Sequence, residues 1–211
     1  MKRFQAIFAF TFSWFLTVFA HAETSLNQID NTISPDNKYA IAWSAPERES
    51  FPLAETYVID ANSGAKITPL PSKLHWVTEE QLENHETVTV SWSGDSNAFI
   101  LIVDGKWTSK SVDLYGLDGD QVITSPNFFK FVQEAVEGAF FHDKPAVKHE
   151  NYVLSASGSK PAPNGNLVLT AVLQVPWGEH PVFIYSVEIE LERYKSWMNP
   201  KTINVKIVSE E

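Results

Sequence analysis

The sequence predicts a mostly β protein made of antiparallel sheets of consecutive hairpins, with two short helices, in a single domain. Three observations support this fold class. Apolar and polar residues alternate with a period of two in the C-terminal part, which is typical of strands that bury one face. Gly, Asn and Asp recur between short apolar runs and favour turns. Helix-start signals occur at Thr78 and at Ser125-Pro126.

The N-terminus has the three parts of a secretory signal peptide. Lys2 and Arg3 form a basic start, and residues 6–19 form an uncharged apolar run. Ala20-His21-Ala22 then places small residues where a signal peptidase cleaves. We expect cleavage after Ala22, and therefore an exported protein. An uncleaved membrane anchor is the alternative, although the apolar run is short for a membrane span.

Removal of residues 1–22 leaves one domain over residues 23–211, which is long enough to bury a sizeable core. The whole chain has 16 basic and 26 acidic residues and a net charge of −10, and the leader takes two basic residues with it. Such a surface repels nucleic acid, whereas basic peptides, cationic sugars or metal ions are easier to accommodate. No later apolar run is long enough to cross a bilayer, so no integral membrane segment is expected after cleavage.

Cysteine is absent from the chain, which excludes disulfides, thiolate metal sites, a cysteine nucleophile and lipid anchoring through an N-terminal cysteine. The chain also has no Asn-x-Ser/Thr sequon, which favours a bacterial source over a eukaryotic secretory one. We therefore predict a periplasmic or secreted protein, with a Gram-negative source favoured, whose fold is held by its core.

Short strands separated by turns are predicted through the first part of the domain. Residues 98–103 are continuously apolar, as a strand buried on both faces would be. Asp118-Gly119 between two apolar runs is a β-hairpin signal. The predicted strands are Tyr39–Trp43, Thr56–Ile59, Val88–Trp92, Ala98–Val103, Val112–Tyr115 and Gln121–Thr124.

Two helices interrupt the strands. Thr78-Glu-Glu-Gln81 fits a capping box, which predicts a short helix to about Asn84. Ser125-Pro126 predicts the start of a longer helix, because serine caps well and proline suits the first turn. This second helix should end near residues 138–141. Its apolar side is formed by Phe128, Val132, Ala135, Val136 and Ala139.

The alternation is clearest in the C-terminal strands, which are predicted over Leu167–Val175, residues 183–191 and Ile203–Ile207. In the middle strand the two faces differ in chemistry. One face carries Phe183, Tyr185, Val187, Ile189 and Leu191. The other face carries Glu188, Glu190 and Glu192, which we call the acidic stripe. Period two over this many positions predicts antiparallel sheet with one wet face.

A weak internal repeat runs through the chain. Each unit consists of a polar turn, an apolar strand, a polar loop and a second strand. The three turns lie at Ser34-Pro-Asp-Asn-Lys-Tyr39, within Trp92–Leu101 and within Ala162–Leu169. The first unit, over residues 33–70, resembles the S-P-D-G-K/R-Y repeat of TolB-like and WD-type β-propellers. The second unit, over residues 90–123, resembles the same repeat. The resemblance implies propeller-like hairpins in a smaller assembly of sheets, and a binding scaffold more than a reaction.

Several side chains are candidates for chemistry, but none forms a recognised catalytic pattern. A metal site can be drawn with His75 and His85, which bracket Glu79, Glu80 and Glu83. No histidine pair has the H-E-x-x-H spacing, so solvated surface is the preferred interpretation and no metal or cofactor is assigned.

Serine and aspartate give no stronger signal. No serine lies in a G-x-S-x-G elbow, so no hydrolytic triad is predicted. Asp113, Asp118 and Asp120 are interpreted as structural residues of a hairpin and its turn, where aspartate is common.

The acidic stripe and two tryptophans are the candidate partner-binding residues. The stripe is either the solvated face of a strand, a docking surface for a basic partner, or a device against strand pairing. Trp107 and Trp177 lie near loops or strand ends, where tryptophan serves as a platform for sugars or peptides, although tryptophan is more often core.

The preferred functional hypothesis is an exported, non-enzymatic binding or accessory module for a protein or glycan partner. It follows from the leader, the scaffold-like repeat and the lack of a catalytic pattern. One alternative is a periplasmic hydrolase whose site is assembled only in the fold. The other is a structural subunit of an envelope complex, which the propeller resemblance suggests.

Overall fold

The computed structural model describes residues 26–45, 53–78, 81–82, 86–106, 108–143, 153–161, 166–174, 182–193 and 198–210. Over these residues the protein is mostly β, with three antiparallel sheets and one helix. In each sheet, neighbouring strands follow one another along the chain, so each sheet is an up-and-down meander. The mostly β, antiparallel fold class is therefore confirmed.

The three sheets follow one another in chain order. Sheet A contains β1 (Asn27–Gln28), β2 (Tyr39–Ser44), β3 (Leu53–Asp60), β4 (Lys66–Thr78) and β5 (Gln81–Leu82). Sheet B contains β6 (Thr87–Trp92), β7 (Ala98–Asp104), β8 (Ser109–Asp118) and β9 (Gln121–Thr124). Helix α1 spans Phe128–Asp143, and sheet C contains β10 (Val153–Pro161), β11 (Leu167–Gln174), β12 (Phe183–Arg193) and β13 (Met198–Glu210).

Strand β7 is the centre of the fold, because sheet B has a hydrophobic core on each of its faces. The even-numbered residues from Ala98 to Ile102 pack into a core shared with α1 and sheet C. The odd-numbered residues from Phe99 to Val103 pack into a second core shared with sheet A. All six side chains are almost completely buried. The prediction of a strand buried on both faces is confirmed.

Sheet C and α1 form the larger of these cores. The buried side chains of α1 recur once per turn and are Phe128, Val132, Val136 and Phe140. In β12 the odd-numbered residues from Phe183 to Ile189 are buried, whereas Glu190 on the opposite face is exposed. The period-two prediction for this strand is therefore confirmed.

The polar turn before β2 is closed by a small set of hydrogen bonds. The Ser34 hydroxyl donates to Asp36 Oδ1 (2.7 Å) and accepts from the Tyr39 amide (2.9 Å). Burial raises the pKa of Asp36, but hydrogen bonds from Ser34 and Lys38 outweigh it and hold the pKa at about 2. The turn before β7 repeats these side-chain bonds with Ser93, Asp95 and Ala98.

The two turns also share a backbone conformation and contact each other. Asn37 and Ser96 lie at equivalent places, and each has a φ of 59° in the left-handed region. The Asp36 amide donates to Ser96 Oγ (3.1 Å). The internal repeat is thus a real structural repeat for its first two units. In the third unit, residues 162–165 lie outside the described residues.

The prediction of two short helices is wrong, since the described residues contain a single helix of 16 residues. The second predicted helix is α1. The first, from Thr78 to about Asn84, is contradicted because Thr78 ends β4 and pairs with Gln81 of β5. Residues 79–80 and 83–85 lie outside the described residues. Strand pairing within sheet A overrides the local capping-box pattern here.

Candidate functional site

A polar cleft of about 320 Å³ lies between β4 of sheet A and β8 of sheet B. This volume is at the lower end of the range for small-molecule sites. The side chains that give the cleft its chemistry are Ser72, His75, Glu86, Lys110, Ser111 and Asp113. Residues of sheets A and B therefore meet there, although they are far apart in the chain.

A bulge in β4 brings Ser72 into the cleft. Glu55 of β3 pairs with Lys73, but the next residue, Thr56, pairs with Leu70, so Pro71 and Ser72 have no partner in the ladder. Proline lacks an amide hydrogen and is tolerated in a strand at such a bulge. Outside the ladder, Ser72 reaches across to sheet B, where its hydroxyl donates to a β8 carboxylate.

A second bulge, in β8, brings Lys110 to the same place. Val103 pairs with Ser111 and Asp104 pairs with Ser109, so the register of the ladder shifts at Lys110. The lysine chain passes over Gly105, where an added Cβ would lie 3.1 Å from Lys110 Cε. Glycine at this position therefore leaves room for the lysine to reach the cleft.

Glu86 is the buried centre of the first polar cluster. Its side chain has no exposed surface, whereas those of His75 and Lys110 are 43% and 39% exposed. Oε2 accepts from the His75 amide (2.6 Å), and Oε1 lies 3.0 Å from Lys110 Nζ and 3.1 Å from His75 Nδ1. A buried carboxylate needs such partners because its desolvation is costly.

The second polar cluster is a chain of hydroxyl groups that ends on Asp113. The Ser72 hydroxyl donates to Asp113 Oδ2 (2.7 Å) and also contacts the Tyr115 hydroxyl. Since Ser72 has one proton and gives it to Asp113, Tyr115 donates to Ser72. Burial, with the charge of Asp113 beside it, raises the pKa of Tyr115 to about 12, so the phenol keeps its proton.

Of the residues singled out in the sequence, His75 and Asp113 line the cleft. His75 contacts Glu86, a residue that the sequence interpretation missed. His85, Glu79, Glu80 and Glu83 of the drawn metal site lie outside the described residues. No cluster of three or more metal-ligating side chains occurs among the described residues.

The interpretation of the three aspartates as residues of a hairpin and its turn is confirmed for their positions. Asp118 pairs with Gln121 across the β8–β9 hairpin, and Gly119 there has a φ of 60°. Asp113 lies inside β8 opposite Leu101, away from this turn, and its contact with Ser72 joins two sheets. Asp113 is therefore a hairpin residue, as predicted, and in addition it connects two sheets.

The acidic stripe lies on β12 of sheet C, on the face opposite the core. The strands that line the cleft belong to sheets A and B. Glu190 is exposed, while Glu188 and Glu192 are half-buried. Asn166 Nδ2 donates to Glu188 Oε1 (3.2 Å). Trp107 and Trp177 lie outside the described residues. A role of the stripe and these tryptophans in partner binding stays a prediction.

No similar protein assigns a function to these clusters. Comparison with protein-family models, with curated proteins and with solved structures gave no match. Among the described residues, no helix is long and apolar enough to span a membrane. The geometry of the cleft is therefore the basis for a functional assignment.

Proposed function

We propose that the chain is an exported, non-enzymatic binding module that holds a polar group of its protein or glycan partner in the cleft between sheets A and B. The observation that carries this proposal is the pair of facing β-bulges. They take Ser72 and Lys110 out of regular pairing and aim both side chains at one concavity. Bulges that redirect side chains are common next to functional sites.

The hydrogen-bonding groups of the cleft provide the contacts that a polar ligand needs. The Ser72 hydroxyl donates to Asp113 and so holds this carboxylate in place at the cleft. Tyr115 is protonated at neutral pH, and burial moves its pKa further from neutrality, to about 12. A carboxylate held in place by a chain of hydroxyl groups is the kind of fixed polar group that orients a ligand.

Site-specific crosslinking in the native host tests the proposal. A photo-crosslinking amino acid is placed at Lys73, which lies on the rim of the cleft and is 40% exposed. The same amino acid at Lys130, an α1 residue that is 73% exposed, is the matched control. A discrete adduct from position 73 alone supports the cleft as the binding site.

A third arm separates the cleft from the acidic stripe. The crosslinker at Glu190, which is exposed on β12, reports on a partner that docks on sheet C. An adduct from position 190 without one from position 73 would move the binding surface to the stripe. Equal labelling at all three positions would indicate non-specific contact and would contradict both assignments.

One observation favours a second function, that of a hydrolase. His75 and Glu86 lie 3.1 Å apart at the cleft, so the carboxylate can orient the imidazole as a general base. Purified protein would then turn over a peptide, ester or glycan substrate, and His75→Gln would abolish the turnover. Activity that is unchanged in His75→Gln would rule out this dyad as its source.

A further inference from the structure

Most charged side chains of the cleft lie beside an opposite charge, but the carboxylate of Asp113 does not. This carboxylate indicates the chemistry of the ligand. Lys110 lies 3.0 Å from Glu86, and Lys73 lies 3.3 Å from Glu55. Asp113 makes no ion pair within the described part of the chain. Its only described hydrogen bond comes from Ser72, to Oδ2. One carboxylate therefore remains uncompensated.

The hydroxyl chain leaves Asp113 as an acceptor that faces an open space. Tyr115 donates to Ser72 and Ser72 donates to Asp113, so both hydroxyl protons are already used within the chain. Oδ1 of Asp113 keeps its acceptor capacity. Ser111 lies two residues before Asp113, on the same face of β8, and also lines the cleft. Its hydroxyl has no hydrogen-bond partner among the described residues.

We infer that the cleft binds a protonated primary amine, with Asp113 as the residue that determines specificity and Ser111 as a second acceptor. An ammonium group has three donors and no acceptor, so it can donate to Asp113 Oδ1 and to the Ser111 hydroxyl at once. Its charge would offset that of Asp113 in a half-buried position, where such a hydrogen bond is stronger than a neutral one. The acidic net charge of −10 further attracts cations to the protein.

This inference rests on the proposed function, because it identifies the group that the same cleft would hold. A primary amine can come from a lysine side chain or from an amino sugar. The site chemistry is shared by both, so the experiment carries both as separate arms.

Isothermal titration calorimetry and amide chemical shifts measure binding of two amines and of their acetylated forms. The sugar arm compares the glucosamine trimer with its N-acetylated trimer. The peptide arm compares Nα-acetyl-lysine methylamide with its Nε-acetylated form. We expect at least one amine to bind, with shifts at cleft residues, and acetylation to weaken it about tenfold or more. The arm that binds identifies the source of the amine.

The variants are chosen to keep the fold intact. Asp113→Asn preserves an oxygen acceptor for Ser72 but removes the charge, and should weaken amine binding about tenfold. Ser111→Ala removes a hydroxyl that has no partner among the described residues, and should weaken it less. Asp118→Asn, at the hairpin end of the same strand, is the matched control and should bind as the unaltered protein does. Thermal melts verify that each variant is folded.

The outcomes separate the two proposals. If acetylated ligands bind the cleft as tightly as amines, or Asp113→Asn binds amines normally, the inference is overturned while the binding function stands. If neither amine binds, the inference is overturned as well. If, in addition, crosslinking from position 73 yields no adduct, the proposed function fails with it.

Discussion

Glu86→Gln is expected to destabilise the protein, because it removes a charge that the fold has buried and paired. Hydrogen bonds to a charged group contribute about 1.5–3 kcal/mol each. Glutamine keeps one acceptor, so part of the contact with the His75 amide survives. His75 and Lys110 are 43% and 39% exposed, so the charge that loses its partner can be rehydrated. The net loss in the free energy of unfolding should therefore be about 1–2 kcal/mol, below the range for a fully buried pair.

Urea unfolding at neutral pH measures this difference, and Glu134→Gln is the matched control. Glu134 lies 3.7 Å from Lys130 on the surface of α1, where both side chains are more than half exposed. Its loss should cost less than about 0.5 kcal/mol. If the two variants unfold at the same urea concentration with the same slope, Glu86 is not a buried, paired charge and the description of the first polar cluster is wrong.

Three further outcomes are expected. Mass spectrometry of exported protein should show an N-terminus at Glu23, and a soluble pool that retains Met1 would contradict cleavage after Ala22. Val187→Asp should lower stability by several kcal/mol because Val187 is fully buried, whereas Glu190→Lys on the opposite face should change it by about 0.5 kcal/mol or less; equal melting temperatures of the two variants would refute this. Asp36 has a pKa lowered from 3.8 to about 2 in the folded protein, so its ionised form stabilises the fold above pH 4. That contribution should be lost as the pH falls from 4 to 2, and the difference in melting temperature between Asp36→Asn and the unaltered protein should shrink over this interval.

The sheets were largely predictable, because they depend on local patterns. Alternation predicts which side chains of β12 are buried, and the apolar run of β7 predicts burial on both faces. Turn chemistry predicts the hairpin at Gly119. Strands β4 and β10 were both missed. Pro69 and Pro71 interrupt the pattern of β4, whose regularity comes from pairing with β3. The false helix at Thr78 has the same cause, since pairing with β5 is a tertiary effect.

The cleft was not predictable as a unit, because its members come from strands that meet only in the fold. Ser72 and Asp113 are 41 residues apart in the chain. Glu86 carries no motif, and its importance depends on burial, which the sequence does not show at an isolated charged position. Two signals were present in retrospect. Pro71 within an otherwise extended segment indicates a bulge, and Gly105 indicates a close approach of another group.

The repeated turns and the cleft are formed by different residues. The repeated turns at Asp36 and Asp95 use their side chains to close the backbone, so the S-P-D pattern describes the scaffold. The cleft lies where β4 and β8 depart from regular pairing, at two bulges that face each other. A likeness in the turn motif therefore carries no information on the ligand, since scaffold and site can vary independently. A protein that shares the proposed amine site would instead match at Ser72, Ser111, Asp113 and Tyr115, because these positions provide the acceptors and the hydroxyl chain.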